Sequence, residues 1–291
     1  MKKNEVYDFI FAGAGASTLQ IVRQLLQDKR FADRSILILE ENSTKANDRT
    51  WCFWEEKSKE NWSPFVHCQW ENITFSSDSV QLQDSILPYA YKMIRSSAYY
   101  AHLHTLIAKN KNIELRYEKV KSFDSQQERV CVSTNTNTYI GRYFFNSIFD
   151  WSLVRQQSKY PVLQQHFVGW FIKTEEDCFD SSTATFMDFS VAQQGNTRFM
   201  YVLPLNSKEA LVEYTLFTKN LLNDAAYERE IRTYLTQKNI RNYRITETEQ
   251  GSIPMTCYPF SMHNTKRVLH IGSAGGWTKA STGFTLSLIH I

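Results

Sequence analysis

The feature that most constrains the fold is a short succession of elements near the start of this 291-residue chain. Residues 7–12 predict a buried strand, residues 13–15 (Gly-Ala-Gly) predict a tight turn, and the apolar spacing of residues 16–26 predicts a helix. Residues 35–39 are mostly apolar and predict a second strand, which ends at Glu40. This order is typical of the βαβ unit of a doubly wound sheet. We therefore expect an α/β fold with a Rossmann-like sheet.

The turn between these elements suits a dinucleotide phosphate. Gly13 permits the sharp turn, and Gly15 lets the backbone approach a pyrophosphate at the N-terminus of the helix that begins at Ala16. Glu40 is placed to accept hydrogen bonds from ribose hydroxyls. Thr18 stands where the common fingerprint has a third glycine. A glycine turn without a cofactor is the alternative, but the strand–helix–strand context favours the dinucleotide.

A second glycine-rich segment follows a predicted buried strand at 267–271. It contains Gly272, Gly275, Gly276 and Gly283, and we expect it to open a helix and to contact the dinucleotide a second time. FAD fits two such contacts better than NAD, because its flavin half extends to a second site. An ordinary turn is the alternative interpretation.

The distribution of predicted elements indicates two domains. Strands dominate from about 160 to 260, with one helix expected at 224–238, and the apolar strand after this region returns the chain to the first domain. We assign the FAD-binding domain to residues 1–65, 90–155 and 262–291, and an inserted β-rich substrate domain to residues 66–89 and 156–261.

Composition excludes several kinds of protein. The net charge is only +3, and no basic cluster with interleaved aromatic residues is present, so we expect no nucleic-acid partner. The five cysteines and seven histidines lack the spacing of a metal site, and the cysteines fit a reducing compartment. No apolar run is long enough to predict a transmembrane helix.

One acidic residue lies within a predicted apolar strand. Glu213 in Leu-Val-Glu-Tyr-Thr points away from Val212 and Tyr214 if the segment is a strand. The pattern alone favours a solvent-facing position. The alternative is a cavity, where burial would raise the pKa of the carboxyl and keep it protonated as a proton donor. The aromatic fraction of 14% indicates a thick core or, alternatively, a long apolar pocket or one that holds a cation.

Several motifs taken together resemble the lycopene cyclases of carotenoid biosynthesis, in the bacterial flavoprotein branch. They occur in the family's order and span nearly the whole chain. They are the first glycine turn, Asn-Asp-Arg-Thr-Trp-Cys-Phe-Trp at 47–54, Tyr-Val-Leu-Pro-Leu at 201–205, Leu-Val-Glu-Tyr-Thr at 211–215, Gly-Ser-Ile-Pro at 251–254 and the segment 272–284. The pieces at 47–54 and 211–215 are far more specific than the glycine turn.

The resemblance implies a lycopene β-cyclase, an isomerase that acts as an intramolecular lyase. It implies FAD in its reduced state without net redox change, and NADPH as the reductant. The family's catalytic glutamate falls on Glu213, which would protonate a terminal double bond of lycopene or a related acyclic carotene. We expect the substrate pocket to include Trp51, Phe53, Trp54 and Tyr214, and the cofactor to contact Gly13, Gly15, Ala16, Glu40, Arg49, Gly272, Gly275, Gly276 and Gly283.

The carotene dissolves only in a bilayer, so we expect peripheral association with the inner face of the membrane from the cytoplasm. In two places the chain departs from the family pattern. Ser273 stands where such flavoproteins often have an aspartate, and the chain stops soon after Phe284, whereas family members continue with further helices. We therefore expect a truncated chain with an incomplete substrate tunnel. The rival functions are an FAD-dependent monooxygenase or reductase of the same fold and an inactive FAD-binding fragment. The number of ends cyclised, the preferred carotene and the oligomeric state do not follow from the sequence.

Overall fold

The computed structural model describes residues 6–44, 47, 49–59 and 62–285. The motif residue Asp48 and the C-terminal residues 286–291, on which the expectation of truncation falls, lie outside the described residues. The helices are α1 (Ala16–Gln27), α2 (Ser96–Ala108), α3 (Trp151–Arg155) and α4 (Asp224–Gln237). The strands are β1 (Val6–Ala12), β2 (Ile36–Glu40), β3 (Thr50–Glu56), β4 (Val66–Trp70), β5 (Asn72–Ser76), β6 (Gln81–Ser85), β7 (Tyr89–Arg95), β8 (Ile113–Tyr117), β9 (Val120–Ser125), β10 (Val130–Thr134), β11 (Thr138–Asn146), β12 (Val162–Thr174), β13 (Thr183–Asp188), β14 (Thr197–Pro204), β15 (Glu209–Thr218), β16 (Tyr243–Thr256) and β17 (Val268–His270).

The chain forms two units. The first unit comprises residues 1–47, 96–161 and 256–291. Its sheet has the order β8-β2-β1-β11-β10-β9, with β17 beside β11, and β1, β2, β8, β11 and β17 run parallel. Every residue of β2 is buried, as expected for a parallel strand covered on both faces. The predicted βαβ unit and the α/β class are confirmed.

The second unit comprises residues 48–95 and 162–255 and is built from two sheets. The larger has the order β16-β12-β15-β14-β13-β5-β6, and the smaller has the order β3-β7-β4. Alternation along β15 gives its two faces different neighbours. Val212, Tyr214 and Leu216 pack with Tyr227 and Ile231 of α4, whereas the residues at 211, 213 and 215 face the other way. One face of the large sheet is therefore covered by α4.

The domain boundaries differ from the expected ones. Residues 48–65 and 90–95, which we expected in the first domain, belong to the second unit. Residues 156–161 and 256–261, which we expected in the substrate domain, belong to the first unit. The reason is strand pairing, because β3 pairs with β7 along its whole length and β7 pairs with β4. No helix within the described ranges is long and apolar enough to span a membrane.

Candidate active site

The first glycine turn is held by backbone and side-chain contacts within the first unit. Gly13 has a φ of +85°, its N–H donates to the Leu39 carbonyl at 2.8 Å, and a side chain there would overlap the Ser147 hydroxyl. A left-handed backbone in such close contact requires glycine. Gly15 differs, since its backbone is extended and no described atom lies within 4 Å of a Cβ built on it. Gly13 therefore shapes the turn, and Gly15 leaves open space beside it.

The second glycine-rich segment packs directly on the start of α1. Gly272 has a φ of +59°, and a side chain there would overlap the Ser17 hydroxyl. Residues Gly272–Gly275 form a short 3-10 helix, and no α-helix follows up to residue 285, the last one described. Within the described residues the segment opens only this short helix, because the left-handed Gly276, with a φ of +74°, ends it. The expected proximity of the two glycine segments holds.

The other expected cofactor residues lie in different surroundings. The Glu40 carboxylate accepts from the Ala14 N–H at 2.7 Å and the Asn42 N–H at 3.1 Å, so it fixes the turn itself. Ala16 is the first residue of α1. Arg49 belongs to the second unit, where it donates to the Gln250 carbonyl at 3.3 Å. The remaining three are Gly275, whose missing side chain makes room for the His270 carbonyl, Gly276, which packs on Phe260, and Gly283, which has a φ of +73°.

These features fit a dinucleotide pyrophosphate. No side chain caps the N-terminus of α1 among the described residues, and the first turn of α1 carries no acidic side chain, so its N–H groups can bind an anion. The hydroxyl of Thr18 is fully buried and has no hydrogen-bond partner within the described part of the chain. The residues that could hold the group are Gly13, Gly15, Ala16 and Glu40, with Gly272 beside them.

Glu213 lies on the face of the large sheet opposite to α4, here called the inner face, and does not point to solvent. It sits in the middle of β15, paired with Gly169 of β12 on one side and Tyr201 of β14 on the other. Its Oε1 accepts from the Thr215 hydroxyl at 2.7 Å. The side chain is half-buried, so part of it remains accessible. The cavity-facing alternative for Glu213 therefore describes its position better than the solvent-facing one.

A second carboxyl group lies beside Glu213. Glu249 is on β16, which neighbours β12, and its Oε2 accepts from the Thr50 hydroxyl at 2.6 Å. A Cβ built on Gly169 would lie 3.3 Å from the Cγ of Glu249 and 3.4 Å from the Cβ of Glu213. The nearest atom to that Cβ would be Cδ1 of Leu211, at 2.8 Å, so the missing side chain of Gly169 lets Leu211 and the two carboxyl stems pack closely against the backbone.

Burial gives both carboxyl groups unusual pKa values. Burial, followed by the charge of Glu249, raises the pKa of Glu213 to about 8, against the lowering effect of the Thr215 hydrogen bond. Burial also raises the pKa of Glu249, whereas the Thr50 hydroxyl, Arg95 and Arg49 lower it. Glu213 is therefore protonated at neutral pH and can donate a proton.

Aromatic rings surround this part of the inner face. The ring centroids of Trp54 and Tyr91 are 4.7 Å apart, those of Trp54 and Phe186 are 5.0 Å apart, and those of Phe186 and Tyr201 are 5.8 Å apart. Burial raises the pKa values of Tyr91, Tyr201 and Cys52, so these groups stay neutral. Ring faces stabilise a nearby cation. The site combines a carboxyl group of raised pKa with neutral aromatic walls.

Three of the four expected pocket residues lie elsewhere. Trp51 and Phe53 are on the face of β3 opposite to Cys52 and Trp54, and Phe53 packs on Trp62 with centroids 5.9 Å apart. Tyr214 is fully buried on the α4 side of β15, where its hydroxyl accepts from Arg198 at 3.3 Å. Strand alternation separates all three from Glu213, and only Trp54 remains near it.

Sequence reasoning missed Glu249, Gly169 and the aromatic partners of Trp54. Glu249 lies in a polar stretch, Thr-Glu-Thr-Glu-Gln, which is typical of a solvent-facing strand. No pattern in this stretch distinguishes Glu249 from Glu247, which pairs with the half-buried Arg95 at 2.6 Å. Among the described residues, no group of three histidine, cysteine, aspartate or glutamate side chains could hold a metal ion.

Solved structures with this fold are flavoproteins and related oxidoreductases. A geranylgeranyl bacteriochlorophyll reductase-like protein from Thermoplasma acidophilum matches with a TM-score of 0.68 at 12% identity, covering 98% of this chain and 75% of that one. The p-nitrophenol 4-monooxygenase of Pseudomonas putida matches with a TM-score of 0.66 at 12% identity, covering 93% and 73%. A variant of the halogenase PltM in complex with FAD has a TM-score of 0.66 at 12% identity, covering 98% and 67%. The chain therefore has the Rossmann-type fold of FAD-dependent oxidoreductases and halogenases.

Sequence comparison assigns the chain to one family within this class of proteins. The model of the lycopene cyclase protein family matches residues 8–289, and the chain belongs to that family. It is 25% identical over 264 residues to the lycopene β-cyclase of Pantoea ananas and 23% identical over 256 residues to that of Pseudescherichia vulneris, with 86% of this chain matched in each case. The matched part spans 63% and 62% of these relatives.

Proposed function

We propose that this protein is a lycopene β-cyclase, which closes β-rings at the ψ ends of lycopene without net oxidation or reduction. The observation that carries the proposal is Glu213, a half-buried carboxyl that holds its proton at neutral pH within an aromatic inner face. The curated relatives in Pantoea ananas and Pseudescherichia vulneris carry this activity in their names.

The protonation step belongs to Glu213. Because Oε1 accepts from the Thr215 hydroxyl, Oε2 is the oxygen that carries the proton. The O–H bond breaks as a C–H bond forms at the terminal double bond, and a tertiary carbocation results. The neighbouring double bond attacks this cation, and loss of a proton completes the ring. The rings of Trp54, Tyr91, Phe186 and Tyr201 stabilise the cation and exclude water from it.

The cofactor we propose is FAD, with NADPH as the reductant. Gly13, Gly15, Ala16 and Glu40 would hold its adenine-nucleotide half, with Gly272 beside them. When bound in its reduced, anionic form, FAD supplies negative charge that stabilises a carbocation. The lyase class of the enzyme and its peripheral attachment to the membrane belong to the same proposal.

The proposal is tested by expressing the chain in lycopene-accumulating bacteria and by assaying the purified protein without oxygen. We expect β-carotene or a monocyclic carotene to form when the flavin is reduced, with neither oxygen uptake nor stoichiometric NADPH consumption. Product formation that tracks oxygen uptake would instead identify a monooxygenase. Soluble, flavin-loaded protein that forms no cyclic carotene under either condition would identify an inactive FAD-binding fragment.

A further inference from the structure

The two carboxyl groups of the second unit differ in their access to other molecules. Glu249 is 8% exposed, whereas Glu213 is half-buried and keeps part of its surface open. A substrate can therefore touch Glu213 more readily than Glu249, which lies two strands away in the same sheet. Any effect of Glu249 on the reaction acts through Glu213.

The backbone fixes the separation of the pair. Glu213 and Gly169 are directly paired on neighbouring strands, and the stem of Glu249 lies against Gly169 from the other side. Any other residue at 169 would place a Cβ within 3.4 Å of both stems and 2.8 Å from Leu211. Gly169 thus lets two acidic groups lie close together inside the unit, where charge repulsion is weakly screened.

The charged and titratable groups around the pair favour an unequal sharing of the proton. Those facing it from β3, β7, β14, β16 and the residue before β3 are Cys52, Tyr91, Arg95, Tyr201, Glu247 and Arg49. The ionised form of Glu249 is favoured by the Thr50 hydroxyl and by the cations Arg95 and Arg49, against the repulsion from Glu247. The ionised form of Glu213 is favoured only by Thr215 among the groups that act on it.

We propose that Glu249 is a positioning residue that keeps the single proton of the pair on Glu213, the two carboxyl stems packing beside Gly169. The inference rests on the proposed role of Glu213 as the acid. It gives the pair one proton before the reaction and two negative charges once the substrate is protonated. Repulsion between the two carboxylates then favours the return of one proton, equal to the one that the closing ring loses.

The proton on the pair can be measured directly by infrared titration of the carboxyl C=O band in the flavin-loaded protein, without turnover. We expect a band that Glu213→Gln removes and that titrates away near pH 8 in the wild type. In Glu249→Gln, its midpoint should fall by about one pH unit or more, because the like charge is gone. Glu249→Asp should restore most of the high midpoint, and Glu209→Gln, on the same strand but paired with Lys173, should leave it unchanged.

Glu249 loses its proton while Glu213 is still neutral, so Glu213→Gln should leave the midpoint of Glu249 unchanged and below that of Glu213 in the wild type. This second titration decides the matter if Glu249→Gln does not fold. An unchanged Glu213 midpoint in Glu249→Gln, or a Glu249 midpoint in Glu213→Gln as high as that of Glu213 in the wild type, overturns the inference. The cyclisation assay is separate. If the Glu213 midpoint depends on Glu249 but no cyclic product forms, the proposed function is refuted and the role of Glu249 stands. If cyclic product forms but the midpoint does not depend on Glu249, the role of Glu249 is refuted and the proposed function stands.

Discussion

Glu213 and Glu209 lie on the same strand and show opposite electrostatic behaviour. The Glu209 side chain bonds to Lys173 at 2.6 Å near the surface, and this hydrogen bond lowers its pKa. Glu213, four residues further along, faces Glu249 and the aromatic rings of the inner face, and burial raises its pKa to about 8. The position in the sheet, rather than the residue type, makes Glu213 an acid that still holds its proton at neutral pH.

Replacing Glu213 removes the proton donor and leaves the shape of the site nearly unchanged. We expect Glu213→Gln to bind flavin normally and to lose cyclisation by at least about 100-fold, the scale of general acid catalysis. Glu209→Gln is the matched control and should retain wild-type turnover. Flavin absorbance and carotene chromatography measure the two properties. Near-normal turnover in Glu213→Gln would remove this residue from the proposed role.

The same carboxyl makes stability depend on pH. The pKa of Glu213 rises from 4.5 to about 8 on folding, so between these values the folded chain binds more protons than the unfolded one. The free energy of unfolding therefore decreases as the pH rises through this window. We expect Glu213→Gln to lose less stability than the wild type between pH 6 and pH 9. Urea unfolding at a series of pH values measures this, and parallel curves for the two proteins would contradict it.

Within a strand, the alternation of side chains decides which residues share a face. On β3, alternation sends Cys52 and Trp54 toward the carboxyl pair and sends Trp51 and Phe53 to the opposite side. The motif at 47–54 that carried the family resemblance therefore identified the segment but predicted neither the strand nor the face on which each side chain lies. Which face is inward depends on the pairing of β3 with β7, whose paired residues lie 33 to 45 positions apart along the chain.

This alternation predicts a contrast between two tryptophans of one strand. Trp54→Leu removes a ring near Glu213, and we expect the cyclisation rate to fall by about 2- to 30-fold, the scale of a cation–π contribution. Trp51→Leu makes the same chemical change on the other face and should alter the rate less than 2-fold. Rates are compared at equal flavin content. Equal losses in both variants would show that the effect is general destabilisation.

The turn before α1 offers a second matched pair. Gly13→Ala forces a side chain into a left-handed position against Ser147, so we expect a loss of about 1–3 kcal/mol in the free energy of unfolding. Gly15→Ala meets no described atom and should fold like the wild type, but its methyl group enters the space proposed for the pyrophosphate. Flavin titration should show weaker binding in Gly15→Ala. Unaltered flavin affinity would place the pyrophosphate elsewhere.

The sequence predicted the elements with strong local patterns and could not predict the contacts between distant ones. The βαβ unit, the helix near 224–238 and the position of Glu213 in a strand all follow from periodicity or motifs. Glu249 escaped notice because its relation to Glu213 depends on the order β16-β12-β15, in which strands distant along the chain become neighbours. For the same reason, the first boundary between the units lies after residue 47 and not after residue 65, where we predicted it.

The whole molecule is a chain that passes between its two units four times, after residues 47, 95, 161 and 255. Each unit is therefore assembled from separate stretches of sequence. In the second unit, β13 pairs with β5 in parallel, which joins residues 72–76 to 183–188. Neither unit corresponds to one continuous stretch of the chain.

For the whole molecule, the proposed carotene substrate leads us to expect binding to lipid vesicles. A carotene is delivered from a bilayer, so we expect the flavin-loaded protein to float with phosphatidylcholine vesicles that contain lycopene and to be released without detergent by alkaline carbonate. The net charge of +3 further predicts tighter binding when anionic lipid is added, and a loss of this gain at high salt. Protein that stays at the bottom of the gradient with every vesicle type would argue against membrane delivery.

The discontinuity of the first unit also sets an order of events during synthesis on the ribosome. Six of the strands in its sheet have emerged by residue 146, whereas β17 and Gly272, which packs on Ser17, arrive only after the whole second unit has been made. N-terminal elements fold first as the chain is made. The first unit therefore lacks β17 and the glycine segment beside Ser17 until the second unit has been synthesised, and full cofactor binding becomes possible only after that point.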